Sequence, residues 1–196
     1  MNQEIEIEFK NMITKEEFNR LKEHFSIKED AFSLQENHYF DTSAFELKEK
    51  SSALRIREKN GSYEMTLKQP LETGLLETNE IISESDAHRM MHENRIPEGP
   101  VYRILEKDLD IRPDDLLYFG SLSTERAQLE YLGGLLVLDH SRYLGTEDFE
   151  LEYEVEQYEE GKKHFENLLR EVNIPLRKTD NKIKRFYKQK YNGGQK

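Results

Sequence analysis

An α+β fold carrying about eight antiparallel strands is predicted, and three observations predict it. Strict alternation of charged and apolar residues opens the chain in Glu4-Ile5-Glu6-Ile7-Glu8-Phe9-Lys10 and returns in Phe149-Glu150-Leu151-Glu152-Tyr153-Glu154-Val155-Glu156. This is the two-residue period of a strand. Turn signals such as Asn60-Gly61 and Gly133-Gly134 separate similar stretches, so many consecutive strands are joined by hairpins. Helical spacing of apolar residues is confined to segments near both ends and in the middle. One domain over residues 1–191, followed by a frayed tail at 192–196, accounts for a chain of 196 residues without a linker or a low-complexity tract.

Each element has its own justification. In the opening strand Ile5, Ile7 and Phe9 share a face that can enter a core, while Glu4, Glu6 and Glu8, closed by Lys10, share the other. Carboxylates on neighbouring same-face positions stand only about 7 Å apart, so they repel unless water, a basic side chain or a metal ion intervenes. Thr14-Lys15-Glu16-Glu17 fits a capping box that starts a helix with Phe18, Leu21 and Phe25 on one face. A strand over 32–42 ends in Tyr39-Phe40-Asp41-Thr42, and 43–52 is a connection. The hairpin at 53–68 turns at Asn60-Gly61; its first arm sets Arg55, Arg57 and Lys59 opposite Leu54 and Ile56, and its second sets Glu64, Thr66 and Lys68 on one face. After Pro70 and Gly74 comes a strand over 75–83, then a helix from Ser85-Asp86 to about Asn94 and a weaker helical pattern over 101–109. Strands at 118–132, 135–139 and 149–156 precede a helix at about 159–172 with Phe165, Leu168, Leu169 and Val172 on one face. A last helix starts at Thr179-Asp180 and carries Lys182, Lys184 and Arg185; with Pro175 before it and Gly-Gly after it, few apolar anchors besides Phe186 and Tyr187 fix it.

Composition removes several function classes. A net charge of −11 argues against a general nucleic-acid binder or a partner of anionic membranes. The absence of cysteine excludes disulfides, thiolate metal sites and a cysteine nucleophile. No apolar run approaches the roughly 20 residues that span a bilayer, and no signal pattern precedes Glu4, so a cytoplasmic protein is expected.

The charged strand faces call for a chemical explanation. If the strands close into a barrel, alternate residues point inward and a charged face can line a water-filled channel. Facing carboxylates could then hold Mg2+ or Mn2+, which prefer oxygen ligands, and Arg and Lys suit a highly charged anion such as a polyphosphate. Glu6-x-Glu8-x-Lys10 resembles the hallmark of the CYTH superfamily, the triphosphate tunnel metalloenzymes. The resemblance continues in order through Tyr39-Phe40-Asp41-Thr42, Leu54-Arg55-Ile56-Arg57, Thr66-Leu67-Lys68, Arg126, Asp139, Glu150-x-Glu152-x-Glu154 and the 182–185 stretch. It implies an eight-stranded antiparallel closed β-barrel, a tunnel with helices packed outside. It also implies metal carboxylates at Glu6, Glu8, Glu152 and Glu154, with Glu4, Glu150 and Asp139 as further ligands or their partners. Lys10, Arg55, Arg57, Lys68 and Arg126 would bind phosphate, and Lys182 and Arg185 on the last helix would bind the same substrate and close the tunnel. Lys10, Tyr39 and Glu8 would serve catalysis. The fit is inexact in the fifth strand, where Glu77 and Glu80 differ in parity and cannot both point inward.

Simpler readings stand beside these. The six histidines (His24, His38, His88, His92, His140 and His164) are scattered and read as ordinary surface or core residues. Tyr39 also suits plain sheet packing, and the basic residues at 182–185 also suit a solvated helix face. Gly133-Gly134 is a turn, since no phosphate-loop pattern surrounds it. The resemblance implies a metal-dependent triphosphatase acting on a small-molecule triphosphate. A class IV adenylate cyclase and a triphosphate-binding regulatory module are the alternatives.

Overall fold

The computed structural model describes the backbone of residues 2–192 and the side chains of 2–191; the end of the 192–196 tail lies outside the described residues. Strands β1 (Asn2–Ile13), β2 (Ser33–Thr42), β3 (Ala53–Lys59), β4 (Ser62–Pro70), β5 (Leu75–Ile82), β6 (Leu116–Tyr131), β7 (Gly134–Tyr143) and β8 (Thr146–Val155) form a closed barrel in the order β1-β5-β4-β3-β2-β6-β7-β8. Helices α1 (Lys15–His24), α2 (Glu46–Glu49), α3 (Glu84–Glu93), α4 (Pro100–Lys107), α5 (Tyr158–Glu171) and α6 (Lys182–Asn192) complete the α+β fold. No helix among the described residues is long and apolar enough to cross a membrane.

The chain forms two compact units, Met1–Ile5 with Gln35–Leu122 and Glu6–Leu34 with Ser123–Lys196. In the first, β2 to β5 pair as an antiparallel meander. Asn60 and Gly61 both have positive φ (51° and 74°), the backbone of the tight hairpin that Asn-Gly encodes. Leu54, Ile56, Met65 and Leu67 turn one sheet face into a core with Met90 and Leu105 of α3 and α4. Arg55 and Arg57 therefore lie on the other face, as the alternation requires. Asp41 closes the next turn: its carboxylate accepts hydrogen bonds from the backbone N–H of Thr42 at 2.8 Å and Leu47 at 2.9 Å, which sets α2 in place.

The parity conflict in β5 is resolved by a helix terminus. Glu77 is in register with Lys68 and pairs with it. Glu80 points the other way and its Oε2 accepts from the backbone N–H of Val101 at 2.7 Å, at the start of α4. A carboxylate there satisfies an unpaired amide and the positive end of the helix dipole. A Cβ at Gly99, just before α4, would crowd the Glu80 carboxylate and make it shift.

In the second unit β1, β8, β7 and β6 pair in turn, and Leu136, Leu138, Leu151 and Tyr153 pack on Phe18 of α1 and Phe165 of α5. Thr14 and Glu17 form the expected reciprocal cap on α1. Gly161 lets α5 approach the sheet, since a Cβ would meet Val155 at 2.6 Å. Residues 175–179 are laced to β1 by side chains. Asn11 donates to the Pro175 carbonyl at 3.0 Å and accepts from the Arg177 N–H at 2.6 Å, and Met12 N–H donates to Thr179 Oγ1 at 2.9 Å. Arg177 also grips Glu17 through two bonds of 2.7 and 2.8 Å. These contacts root α6, which starts later than Thr179-Asp180, at Lys182. Phe186 and Tyr187 are buried and are the apolar anchors of α6, as its sequence implies.

Candidate active site

The period-2 pattern of β6, β7 and β8 brings the second unit's charges together. Register places Arg126 opposite Asp139, Asp139 opposite Glu150, and Glu152 opposite Lys10. Asp139, Glu150 and Glu152 are buried, and one carboxylate oxygen from each lies within 4.8 Å of the others. Three such groups would repel strongly alone, yet each is paired. Arg126 makes a two-pronged contact with Asp139 at 2.7 and 2.6 Å and reaches Glu152 at 2.7 Å. From α6, the Lys182 ammonium meets Asp139 at 2.7 Å, Glu150 at 2.6 Å and Glu152 at 2.5 Å. Arg185, one turn on, contacts Glu150 at 3.0 Å and Asp148 at 2.9 Å. Lys10 pairs with Glu8 at 2.6 Å.

The electrostatics follow from burial opposed by charge. Desolvation alone would push the Lys182 ammonium down, but Asp139, Glu150 and Glu152 outweigh it and hold it well above its ordinary value. Arg126 is raised in the same way by Asp139 and Glu152, and Lys10 by Glu8, Glu152 and Glu150. Burial would raise Asp139 and Glu152. Arg126 and Lys182 hold both below the ordinary carboxylate value, Glu152 well below.

The other expected site residues are distributed as follows. In β1, Glu6 is half-buried and Glu4 is exposed, with Glu4 Oε1 accepting from Asn79 at 3.0 Å within the first unit. Glu154 is half-buried, in register with Glu8. In the first unit Tyr39 is buried opposite Arg55 in the β2/β3 register, Arg57 lies 4.0 Å from Glu64, and Lys68 pairs with Glu77. The Arg55 Nε is buried and has no hydrogen-bond partner among the described residues, which marks an aimed donor that an oxyanion would satisfy. His88 and His92 lie with ring centroids 4.3 Å apart and tilted on the exposed face of α3. Asp148 escaped the sequence reading. It sits two residues before Glu150, on the same alternation, and binds both Arg185 and the Tyr143 hydroxyl, the latter at 2.7 Å.

A barrel whose alternating strands gather acidic and basic side chains defines a class of phosphate-handling folds, and comparison with known proteins identifies it. Residues 4–187 match the CYTH domain family. The chain belongs to that family. It is 53% identical over 191 residues to the "Putative triphosphatase YjbK" of Bacillus subtilis, covering 97% of this chain and 98% of that protein. A "putative adenylate cyclase" of Bacillus halodurans superposes with a TM-score of 0.92 at 46% identity, over 95% of this chain and 100% of the other. HpAC1 of Hippeastrum, a "putative adenylyl cyclase" described as having a dominant triphosphatase activity, superposes with a TM-score of 0.78 at 25% identity, covering 93% and 95%.

Proposed function

We propose that this chain is a divalent-metal-dependent triphosphatase that hydrolyses the terminal phosphoanhydride of a small-molecule triphosphate: inorganic tripolyphosphate, thiamine triphosphate or a nucleoside triphosphate. The observation that carries the reading is the buried Asp139, Glu150 and Glu152 cluster, interleaved with cationic side chains in a CYTH chain. An all-oxygen donor set of this charge fits Mg2+ or Mn2+. Such an ion, when bound, would polarise a phosphoryl oxygen or activate water. Glu6, Glu8 and Glu154 would complete its surroundings.

The chain's own residues carry the remaining work. Arg55, Arg57, Lys68, Lys10 and Arg126 would take phosphate oxygens and neutralise the charge that grows on the leaving group. The buried, unpartnered Arg55 Nε supports that role. Glu8 would orient the attacking water, with Lys10 and Tyr39 handling the proton. Residues 1–191 act as one catalytic domain, in the cytoplasm. The triphosphatase names of YjbK and HpAC1 support the reading.

The name of the Bacillus halodurans protein favours a second reading, a class IV adenylate cyclase. One experiment separates the two: incubate the pure protein with Mg2+ or Mn2+ and tripolyphosphate, thiamine triphosphate, ATP or GTP, and analyse the products. Released orthophosphate is expected. Cyclic nucleotide plus pyrophosphate would establish the cyclase instead, and tight binding without turnover would make the chain a regulatory module.

A further inference from the structure

We propose that Lys182 is an internal counter-cation for the metal centre, so that metal loading and release of α6 are one equilibrium. This rests on the metal-centre reading above. Lys182 Nζ lies within 2.7 Å of all three carboxylates that would ligate the ion, Asp139, Glu150 and Glu152. An ammonium and a metal ion cannot share that position. With Lys10 already paired to Glu8, the four carboxylates Asp139, Asp148, Glu150 and Glu152 face three cations, Arg126, Lys182 and Arg185. A divalent ion replaces, charge for charge, the two cations Lys182 and Arg185 that leave with α6, so the exchange carries no net electrostatic cost.

The construction of α6 suits such an exchange. Its root at 175–179 is tied to β1 by hydrogen bonds of Asn11, Met12 and Thr179, none of which involves the carboxylate cluster. Its body is held by Lys182, Arg185 and the buried Phe186 and Tyr187. Losing the Lys182 contacts removes the anchor at the first turn and leaves the root in place. Lys182 then becomes available for an anion, which reconciles its carboxylate pairing here with the phosphate role that its sequence position implies.

The test uses Mn2+ alone and reads binding by calorimetry and α6 by amide hydrogen exchange, with no substrate present. In the wild-type protein, saturating Mn2+ should speed exchange over 182–191. Lys182→Met should tighten Mn2+ binding at least about tenfold, because the competent state no longer has to be populated against a docked competitor. Phe186→Ala loosens α6 without changing charge, so its tighter Mn2+ binding would reflect the docking equilibrium alone. Unchanged exchange in the wild type at saturating Mn2+ overturns the proposal, even if Lys182→Met fails to fold. So does a Phe186→Ala protein that folds and binds Mn2+ no tighter. Absence of Mn2+ binding in wild type and both variants would sink the metal-centre reading itself, and the exchange proposal with it.

Discussion

At the scale of single residues, the two units predict opposite responses to losing a charge. Asp139 is fully buried and is held by Arg126 and Lys182. Asp139→Asn removes one partner from each, leaving Arg126 with Glu152 and Lys182 with Glu150 and Glu152, and should lower unfolding stability by about 1.5–3 kcal/mol in urea titrations. Arg55 lies on the face opposite Leu54 and Ile56, which anchor its strand. Arg55→Ala should therefore leave the urea midpoint nearly unchanged and weaken tripolyphosphate binding by about 1.5–3 kcal/mol, the worth of one charge-assisted contact. Calorimetry with tripolyphosphate and orthophosphate checks this, since a tunnel role demands the larger loss with tripolyphosphate. The positions of these residues were legible because alternation assigns a face to each. Their partners were not. Lys182 could have met a phosphate or a carboxylate, and periodicity within one strand does not reveal what a distant helix presents.

At the scale of elements, the strands were readable and some helix ends were not. Asn60-Gly61 and the Thr14–Glu17 box encode their geometry locally, within four residues. Glu80 serves a helix that begins twenty positions later, so only tertiary contact could separate it from Glu77. At the start of α6 the Asn181 side chain accepts from the Lys184 N–H at 2.9 Å, and Asp180 beside it accepts hydrogen bonds from the side chains of Lys184 at 2.7 Å and Lys188 at 2.5 Å. These hydrogen bonds pull the Asp180 carboxyl from 3.8 to about 2. A lowered folded value means that the stabilisation is fully present above pH 3.8 and is lost as pH falls through about 2. Carboxyl titration by NMR should place Asp180 near that value. In Asp180→Asn, protection of α6 should lose this acid-dependent part.

At the scale of the whole molecule, closure of the barrel was implied by the family resemblance, while its order was not legible, since hairpins alone do not say that β1 lies between β5 and β8. The buried cluster gives the fold a signature in acid. Arg126 and Lys182 hold Asp139 and Glu152 below the ordinary carboxylate value. Their contribution is therefore complete above the unfolded-state pKa and disappears as pH falls through the depressed folded values. The urea midpoint should therefore begin to fall as pH enters the ordinary carboxylate range, where the unfolded chain takes up protons, and go on falling down to the depressed folded values. A midpoint that levels off within the ordinary carboxylate range would contradict the pairing.

The pairing of β1 with β8 also has a consequence for how the chain is made. Phe9 waits for Tyr153 as its register partner. At ribosomal speed that wait lasts on the order of 10–30 s. Until then β1 has only β5 to pair with, and its other edge is exposed to chaperones and to other nascent chains. Its row of glutamates, Glu4, Glu6 and Glu8, makes such an edge a poor template for aggregation. The same charges that would serve chemistry at the end of synthesis act as gatekeepers at its beginning.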